Sequence, residues 1–410
     1  QSAKFVSIPY ELRFTTDDKT LFGSPLDQNS KVFAKAGVAF TLEAGSYTAG
    51  GVNAKPTPNF GKEDTPVAFA LPKVEGGVAG MVEIPELVPE NAVAPFTAIV
   101  GARATGKFKW AEAGVAKMSP VLVPANYLGV PVTRTPAYGR FIPHHFRTSV
   151  TQMGCLPNMK CHSDNTDIST AAYSKEPISV TVTAMADGDT VTKNYRGGFA
   201  RSVTLSAWAG ANKDQSMPGL SGGNVKSDDF NDGIASPFPK YTLPNAFIHT
   251  APQATWSAPT SIYLRAIEAT GSDGVTSNLD TGAFEGGVRI VSGRLLVPNA
   301  HGSERLSIPL KVNAQYWTGT NWELNSEDDS SIVDPSKAVF SDVGGLSLAI
   351  APLTADKLSK GVRGFSVKAT PAASGKADLT IDHIDWLPST KGRLKFGTYK
   401  SPLIYLRERH

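Results

Sequence analysis

Alternating apolar and polar residues dominate this 410-residue chain. The clearest run, LSIPLKVNAQY at residues 306–316, places an apolar residue at every second position from Leu306 to Tyr316. Successive side chains of a β-strand point to opposite faces of its sheet, so this run predicts a strand with one buried and one solvated face. Pro309 has no N–H to donate, which predicts an edge position or a bulge there.

The same pattern recurs elsewhere, and no segment carries a long apolar stripe of helical period. Similar alternating runs occupy residues 178–184, 346–350, 364–369 and 377–381. Charged residues make up only 19% of the chain, and 38 Gly and 29 Pro provide many turns between short strands. The sequence therefore predicts an all-β fold of tandem immunoglobulin-like β-sandwich modules with long loops.

Two stretches of the chain echo each other. Residues 36–61 and 174–197 each contain an alternating run, a turn of small residues and an Asn-aromatic pair, and Gly-Arg pairs begin at Gly139 and Gly293. This repetition predicts related modules in tandem, followed by a third β module. The predicted modules are residues 1–147, 148–293 and 294–410. The Gly-, Ser- and Asp-rich stretch 209–236 is predicted to be a long surface loop of the second module.

Composition also limits the environment of the chain and its partners. The net charge is only +3, and no block of five like charges indicates nucleic acid or an anionic membrane as a partner. No stretch approaches the roughly 20 apolar residues that span a bilayer. The sequence begins at Gln1 rather than Met, so we expect a secreted chain processed on export, or a fragment.

Cys155 and Cys161 are the only cysteines, separated by five residues. Their proximity predicts a small disulfide loop, which implies an oxidising compartment. A zinc site that includes His162 is the alternative, but this spacing is unusual for zinc and further ligands are missing.

Acidic residues provide weak candidates for a calcium site. Asp228, Asp229 and Asp232 precede a glycine, and Ca²⁺ prefers several oxygen ligands in such a turn. A solvated Asp/Asn-Gly turn is the favoured interpretation. The acidic run 327–329 is a second candidate of the same kind. The histidines at 144–145 are expected to point to opposite faces of a strand, one packed and one exposed.

Trp317 and Trp322 flank the four residues Thr-Gly-Thr-Asn. This spacing predicts a β-hairpin in which the two tryptophans pair across the strands, on the face opposite Tyr316. A tryptophan on the polar face covers a neighbouring module, binds a partner or stacks on a sugar. We favour burial against the adjacent module and treat both tryptophans as interface candidates.

Four motifs in order carry a family resemblance. YGRFIPHHF, NYRGGFA, IPLKVNAQYWTGTNWELNSEDDSS and KGRLKFGTYKSPLIYLRE lie between about residues 33 and 408 and resemble the C-terminal region of MshQ-like proteins. These large exported proteins are named for a component associated with the mannose-sensitive haemagglutinin type IV pilus of Gram-negative bacteria. Two positions differ: His144 replaces the usual acidic residue before His145, and Ser331 stands where relatives often have Cys.

The resemblance implies an extracellular, pilus-associated structural or adhesive protein and offers no catalytic residues to transfer. The motifs of common hydrolases and nucleotide-binding enzymes are missing, so we predict a protein that is not an enzyme. The expected partners are other pilus or surface proteins, further copies of the chain, or a glycan. The alternatives are a carbohydrate-binding module or carbohydrate-active enzyme on a β-scaffold, and a self-assembling fibre or sheath subunit. The apolar run near the C-terminus, residues 403–406, predicts a buried strand, with strand addition to another subunit as the alternative.

Overall fold

The computed structural model describes residues 7–15, 21–156, 168–210, 212–248, 256–279 and 284–397. Strands dominate these residues, which confirms the predicted all-β class of tandem immunoglobulin-like sandwiches. The helices described are four single 3₁₀ turns, η1 (Gly51–Asn53), η2 (Gly197–Phe199), η3 (Ser227–Asp229) and η4 (Pro335–Lys337). Within the described residues, no helix has the length and apolar character that crossing a membrane requires.

The first module packs two sheets around an aromatic core. Its strands are β1 (Glu11–Thr15), β2 (Val32–Lys35), β3 (Phe40–Tyr47), β4 (Ala68–Gly76), β5 (Val88–Pro89), β6 (Arg103–Lys109), β7 (Gly114–Val123), β8 (Thr133–Thr135) and β9 (Ala137–Ile142). One sheet has the order β5-β6-β3-β1-β8 and the other β2-β9-β7-β4. Trp110, Phe108 and Phe141 are buried between them, and such large rings supply much of the apolar area removed from water.

The second module follows the same plan with a smaller sheet facing a larger one. Its strands are β10 (His145–Val150), β11 (Ala171–Tyr173), β12 (Val180–Met185), β13 (Val203–Ala209), β14 (Gln215–Met217), β15 (Leu220–Ser221), β16 (Asn224–Val225), β17 (Ile234–Ala235), β18 (Lys240–Tyr241), β19 (Thr260–Glu268) and β20 (Gly287–Val291). The sheet β10-β12-β17 faces β11-β20-β19-β13-β14, where β16 also pairs with β13, and β15 pairs with β18. Alternate residues of β12 and β19 fill the core between them.

The third module has its own core between two further sheets. Its strands are β21 (Gly293–Leu296), β22 (Ala300–Gly302), β23 (Ile308–Trp317), β24 (Trp322–Leu324), β25 (Ile332–Val333), β26 (Val339–Ser341), β27 (Leu348–Ala351), β28 (Asp356–Lys357), β29 (Val362–Ala369), β30 (Gly375–Thr380) and β31 (Gly392–Phe396). The orders are β21-β23-β29-β27, with β24 on β23, and β22-β31-β30-β26, while β25 pairs with β28. The predicted boundaries after residues 147 and 293 stay predictions.

Strand β23 follows the predicted alternation with one correction. Its apolar residues from Ile308 to Tyr316 are buried, but Leu306 precedes the strand and is 68% exposed. Pro309 lies where β23 pairs with β29 alone, since β21 reaches only residues 313–316. The prediction of an edge is therefore right locally, although β23 is an interior strand of its sheet.

The expected surface loop at 209–236 is wrong. This stretch contains β14 and β16, which pair with β13, β15, which pairs with β18, and β17, which pairs with β12, and it buries Val225, Phe230 and Ala235 in the second core. Single apolar residues among Gly, Ser and Asp are enough to dock such short strands, and they leave little periodicity to detect. The other four alternating runs lie in β12, β27, β29 and β30. The apolar run at residues 403–406 lies outside the described residues.

Candidate functional site at the module junctions

The modules follow one another without a linker. Strand β9 ends at Ile142 and β10 begins at His145, while β20 ends at Val291 and β21 begins at Gly293. Side chains from distant parts of the sequence then bond across each passage. We call these contacts the first junction, between the first and second modules, and the second junction, between the second and third.

Glu112 is a carboxylate buried in the first junction, with 2% of its surface exposed. It accepts hydrogen bonds from the backbone N–H of Ala113 at 2.8 Å, Lys193 at 3.0 Å and Asn194 at 3.0 Å. Burial raises the pKa of Glu112 to about 7, because desolvation disfavours the charged form more than the three amide hydrogen bonds stabilise it. One side chain therefore ties the end of the first core to a loop of the second module.

Asn194 closes the same junction from the other side. Its Oδ1 accepts from the N–H of Val82 at 2.6 Å and of Glu83 at 3.0 Å, and its Nδ2 donates to the Glu83 carbonyl at 2.6 Å. The next residue, Tyr195, points into the second core and donates to Glu268 at 2.7 Å. Asn194 therefore contributes to the first junction, and Tyr195 contributes to the second core.

Arg140 is the most buried cation of the first junction, at 2% exposure on β9. Its guanidinium forms a two-pronged ion pair with Asp273 of the second module, with Nη1 at 2.8 Å from Oδ1, and also donates to the Ser30 carbonyl at 3.1 Å. Arg201 lies 3.5 Å from the same carboxylate and donates to the Gln28 carbonyl at 2.6 Å. A buried guanidinium is tolerated only when it is paired, so this contact depends on Asp273.

A glycine allows the backbones to approach each other at the first junction. Gly37 has a φ of 77°, and a Cβ at this position would lie 2.4 Å from the carbonyl oxygen of Asp187. The Asp187 N–H donates to the Ala36 carbonyl at 2.9 Å. Any side chain at residue 37 would push the two modules apart.

The second junction is centred on three fully buried polar groups. Asn325 Nδ2 donates to the Tyr173 hydroxyl at 2.6 Å, and this hydroxyl donates to Asp328 Oδ2 at 3.2 Å. Asp328 Oδ1 also accepts from the N–H of Ser331 at 2.9 Å. The acidic run that was a calcium candidate therefore turns Asp328 inward, toward a tyrosine of the second module.

Glu176 completes this network from the second module and is 5% exposed. Its carboxylate accepts from the Tyr173 N–H at 2.8 Å and from Gln152 Nε2 at 2.9 Å. Burial, reinforced by the nearby Asp328 carboxylate, raises the pKa of Glu176 to about 7. Burial likewise raises the pKa of Tyr173 well above its usual range, so its hydroxyl stays a donor.

Four aromatic side chains, Phe247, Trp256, Trp317 and Trp322, form an aromatic cluster beside this network. Trp317 and Trp322 are direct partners across the β23–β24 hairpin, with ring centroids 5.6 Å apart. Trp256 of the second module lies 4.8 Å from Trp317 and 5.3 Å from Trp322, and Phe247 lies 5.5 Å from Trp322. The guanidinium of Arg294 stacks 4.2 Å from the Trp322 ring centroid. Both interface candidates are therefore in contact with the second module.

The first calcium candidate does not form a ligand cluster. Asp229 accepts from the N–H of Lys226 at 2.8 Å, and Asp232 forms an ion pair with Arg196 at 2.9 Å. Across the described ranges, no three His, Cys, Asp or Glu side chains are grouped closely enough to hold a metal ion. The calcium site at Asp228, Asp229 and Asp232 therefore stays a prediction, and no ligand cluster in the described residues supports it.

The predicted disulfide reaches beyond the described residues. Cys155 is described, but Cys161 and His162 are not. Both the disulfide and its zinc alternative stay predictions.

The histidine pair differs from the expectation of opposite faces. The Nδ1 atoms of His144 and His145 lie 3.0 Å apart, because His144 precedes β10 and does not follow its alternation. His145 is buried against Phe284, with ring centroids 4.0 Å apart. Burial lowers the pKa of His145 to about 4, so this ring is neutral near pH 7.

Comparison with known families places these junctions in a wider context. Residues 112–286 match DUF6701, third domain, and residues 291–409 match DUF6701, fourth domain. The chain belongs to the DUF6701 family. The third-domain match begins at Glu112, a first-junction residue, and the fourth-domain match begins at Val291, where β20 passes into β21.

Solved structures resemble the chain only distantly. The Escherichia coli adhesin FdeC is 11% identical over 97% of this chain and 100% of its own, with a TM-score of 0.37. The D0-D1 domain of intimin is 11% identical over 61% of this chain and 97% of its own, with a TM-score of 0.18. The Yersinia pseudotuberculosis adhesin InvE is 15% identical over 65% of this chain and 58% of its own, with a TM-score of 0.24. No curated protein matches the chain. These likenesses are too weak to carry an argument about DUF6701 domains.

Proposed function

We propose that this DUF6701 protein is an exported structural or adhesive component of a bacterial surface appendage, associated with a type IV pilus or a similar structure. It acts by binding and assembly rather than by catalysis. Its partners are other pilus or surface proteins. The MshQ-like motifs support the pilus assignment.

The pair of buried junctions is the observation that supports this proposal most directly. Modules that move independently are usually joined by exposed linkers and modest, polar interfaces. Here Arg140 with Asp273, and Tyr173 with Asn325 and Asp328, are buried across the joints. Separating two modules would leave charged and polar groups without partners, which opposes bending and suits a protein that carries load at a surface.

The proposal is tested by locating the protein on intact bacteria. Antibodies against the purified chain are applied to unpermeabilised cells and followed by electron microscopy with gold labelling. We expect gold on the cell surface or along appendages, and fewer attached cells after deletion of the coding sequence. Labelling that appears only after permeabilisation, with unchanged attachment in the deletion strain, contradicts the proposal.

A further inference from the structure

A cleft with a volume of about 750 Å³ opens on the first module, beside the turn that carries Gly37 of the first junction. Strands β1, β2, β3 and β6 form it together with the turn between β2 and β3. Its polar lining residues are Thr15, Lys35, Thr41, Glu43, Arg103 and Thr105. Two half-buried rings, Phe33 and Phe40, provide its main apolar surface.

The polar side chains form a row across three neighbouring strands. Thr15 is the register partner of Glu43, and Glu43 is the register partner of Thr105, so the three lie side by side on the outer face of the sheet. Thr15 donates to Glu43 Oε1 at 2.7 Å, and Arg103 Nη1 donates to the same oxygen at 3.1 Å. Within the described residues no hydrogen bond occupies Glu43 Oε2, which leaves an acceptor next to the Arg103 guanidinium.

The apolar side of the cleft is held from behind by the core. Phe33 packs edge-on against Phe40 at 5.2 Å and against Phe141 at 5.4 Å, and Phe141 is buried. These contacts fix the rings before any ligand arrives, which lowers the ordering cost of binding. The cleft therefore combines fixed aromatic surface with a few aligned polar groups, the usual composition of a small-molecule site.

We propose that this cleft binds a short neutral oligosaccharide. A sugar has apolar C–H faces that can lie on Phe33 and Phe40, and vicinal hydroxyls that both donate and accept. A carboxylate oxygen beside a guanidinium offers one acceptor and several donors at that spacing, and hydrogen bonds to charged groups are the stronger ones. The charges of Glu43 and Arg103 offset each other in their ion pair, and the exposed Lys35 adds one positive charge to the lining, so anionic oligosaccharides are tested beside neutral ones. This inference rests on the proposed function, because it names the ligand class of an adhesive surface protein.

The experiment uses the full chain on an array printed with neutral, sialylated and sulfated oligosaccharides. The neutral oligosaccharide that gives the strongest signal is then titrated calorimetrically into three variants. Glu43→Gln removes the charged acceptor, and Thr105→Val removes an exposed hydroxyl without changing side-chain shape. Glu75→Gln is the matched control, because it breaks an exposed ion pair with Lys117 on the opposite sheet.

We expect a neutral glycan to bind, with at least a tenfold rise in Kd for Glu43→Gln and Thr105→Val and no change for Glu75→Gln. Absence of any neutral binder, binding of sialylated or sulfated probes alone, or equal Kd values for the wild type and Glu43→Gln would each overturn the inference. Surface labelling without glycan binding defeats this inference alone. Glycan binding by a chain that is never exposed at the surface defeats the proposed function instead.

Discussion

Both junctions hold two adjacent modules together, but they do so with different interactions. At the first, Glu112 gathers backbone amides and Asp273 pairs with the buried Arg140. At the second, Tyr173 links the modules through neutral and acidic hydrogen-bond partners, and four aromatic rings pack beside it. Removing one member of a buried charge pair leaves the other charge without a partner, which costs a large free energy. The stabilisation from aromatic packing scales with the contact area and therefore decreases gradually as rings are removed. We therefore expect a single substitution to destabilise the first junction strongly, and each substitution at the second junction to have a smaller effect.

The repeated Gly-Arg motif shows this difference at corresponding positions. Arg140 and Arg294 each follow a glycine on a strand next to a junction. Arg140 pairs with a carboxylate, while Arg294 stacks on Trp322 and donates to Gln315 at 2.8 Å. The chemistry at a junction therefore depends on the partner residue and not on the repeated motif.

The largest expected effect is that of Asp273→Ala at the first junction. This substitution leaves the Arg140 guanidinium buried without its carboxylate, which costs about 4 kcal/mol. Hydrogen exchange at residues 27–30 and 139–142 measures the local free energy of opening, which is needed because three modules need not unfold in one step. Asp232→Ala is the control: its half-exposed ion pair with Arg196 should change stability by less than about 1 kcal/mol. Equal losses in the two variants would contradict the importance of burial.

Asp328→Ala is the corresponding break in the second junction, and its expected cost is smaller. The substitution removes an acceptor from Tyr173 and from the Ser331 N–H, but the tyrosine keeps its bond from Asn325. We expect a loss of about 3 kcal/mol, because buried polar groups lose their partners. Hydrogen exchange at the amides of residues 171–173 and 325–331 measures this loss in the local free energy of opening. Asp329→Ala, which changes an exposed neighbour, should cost at most about 1 kcal/mol at the same amides, and a larger effect there would refute the account.

The two buried glutamates make both junctions sensitive to pH. The pKa of Glu176 is about 7 in the folded chain and near 4.5 when exposed, so the folded state holds its proton more tightly. The free energy of unfolding should therefore fall as pH rises from about 4.5 to about 8, by roughly 3 kcal/mol for each such carboxyl. The pKa of His145 is lowered to about 4, so this residue acts in the opposite direction, and its stability contribution is lost as pH falls below 6.5.

Urea unfolding at several pH values separates these contributions. The difference between the wild type and Glu176→Gln should change between pH 4.5 and about 8, as pH passes through the folded pKa, and stay constant above that. Glu112→Gln should show the same trend at the first junction, because burial raises its pKa to about 7 as well. A difference that is flat across this range for both variants would show that these carboxyls ionise normally.

The sequence allowed the fold to be predicted better than the contacts at the junctions. Strict alternation located β23, and Thr-Gly-Thr-Asn located the hairpin whose strands pair Trp317 with Trp322. Nothing local marks Glu112 and Glu176 as buried or Asp273 as half-buried, because that burial is created by segments far along the chain. Asp273 meets Arg140 across 133 residues, a distance over which a single sequence carries no visible signal.

The smallest expected effect is that of Trp256→Ala in the aromatic cluster. The substitution removes the ring that links the second module to both hairpin tryptophans, so we expect a loss of about 1.5 kcal/mol at the second junction. Exchange at the β23–β24 amides should quicken, while amides at the first junction stay unchanged. Trp256→Phe keeps part of the ring area and should recover about half of the loss. An effect as large as that of Asp328→Ala would reverse the comparison, since packing would then stabilise the second junction more than its buried polar network.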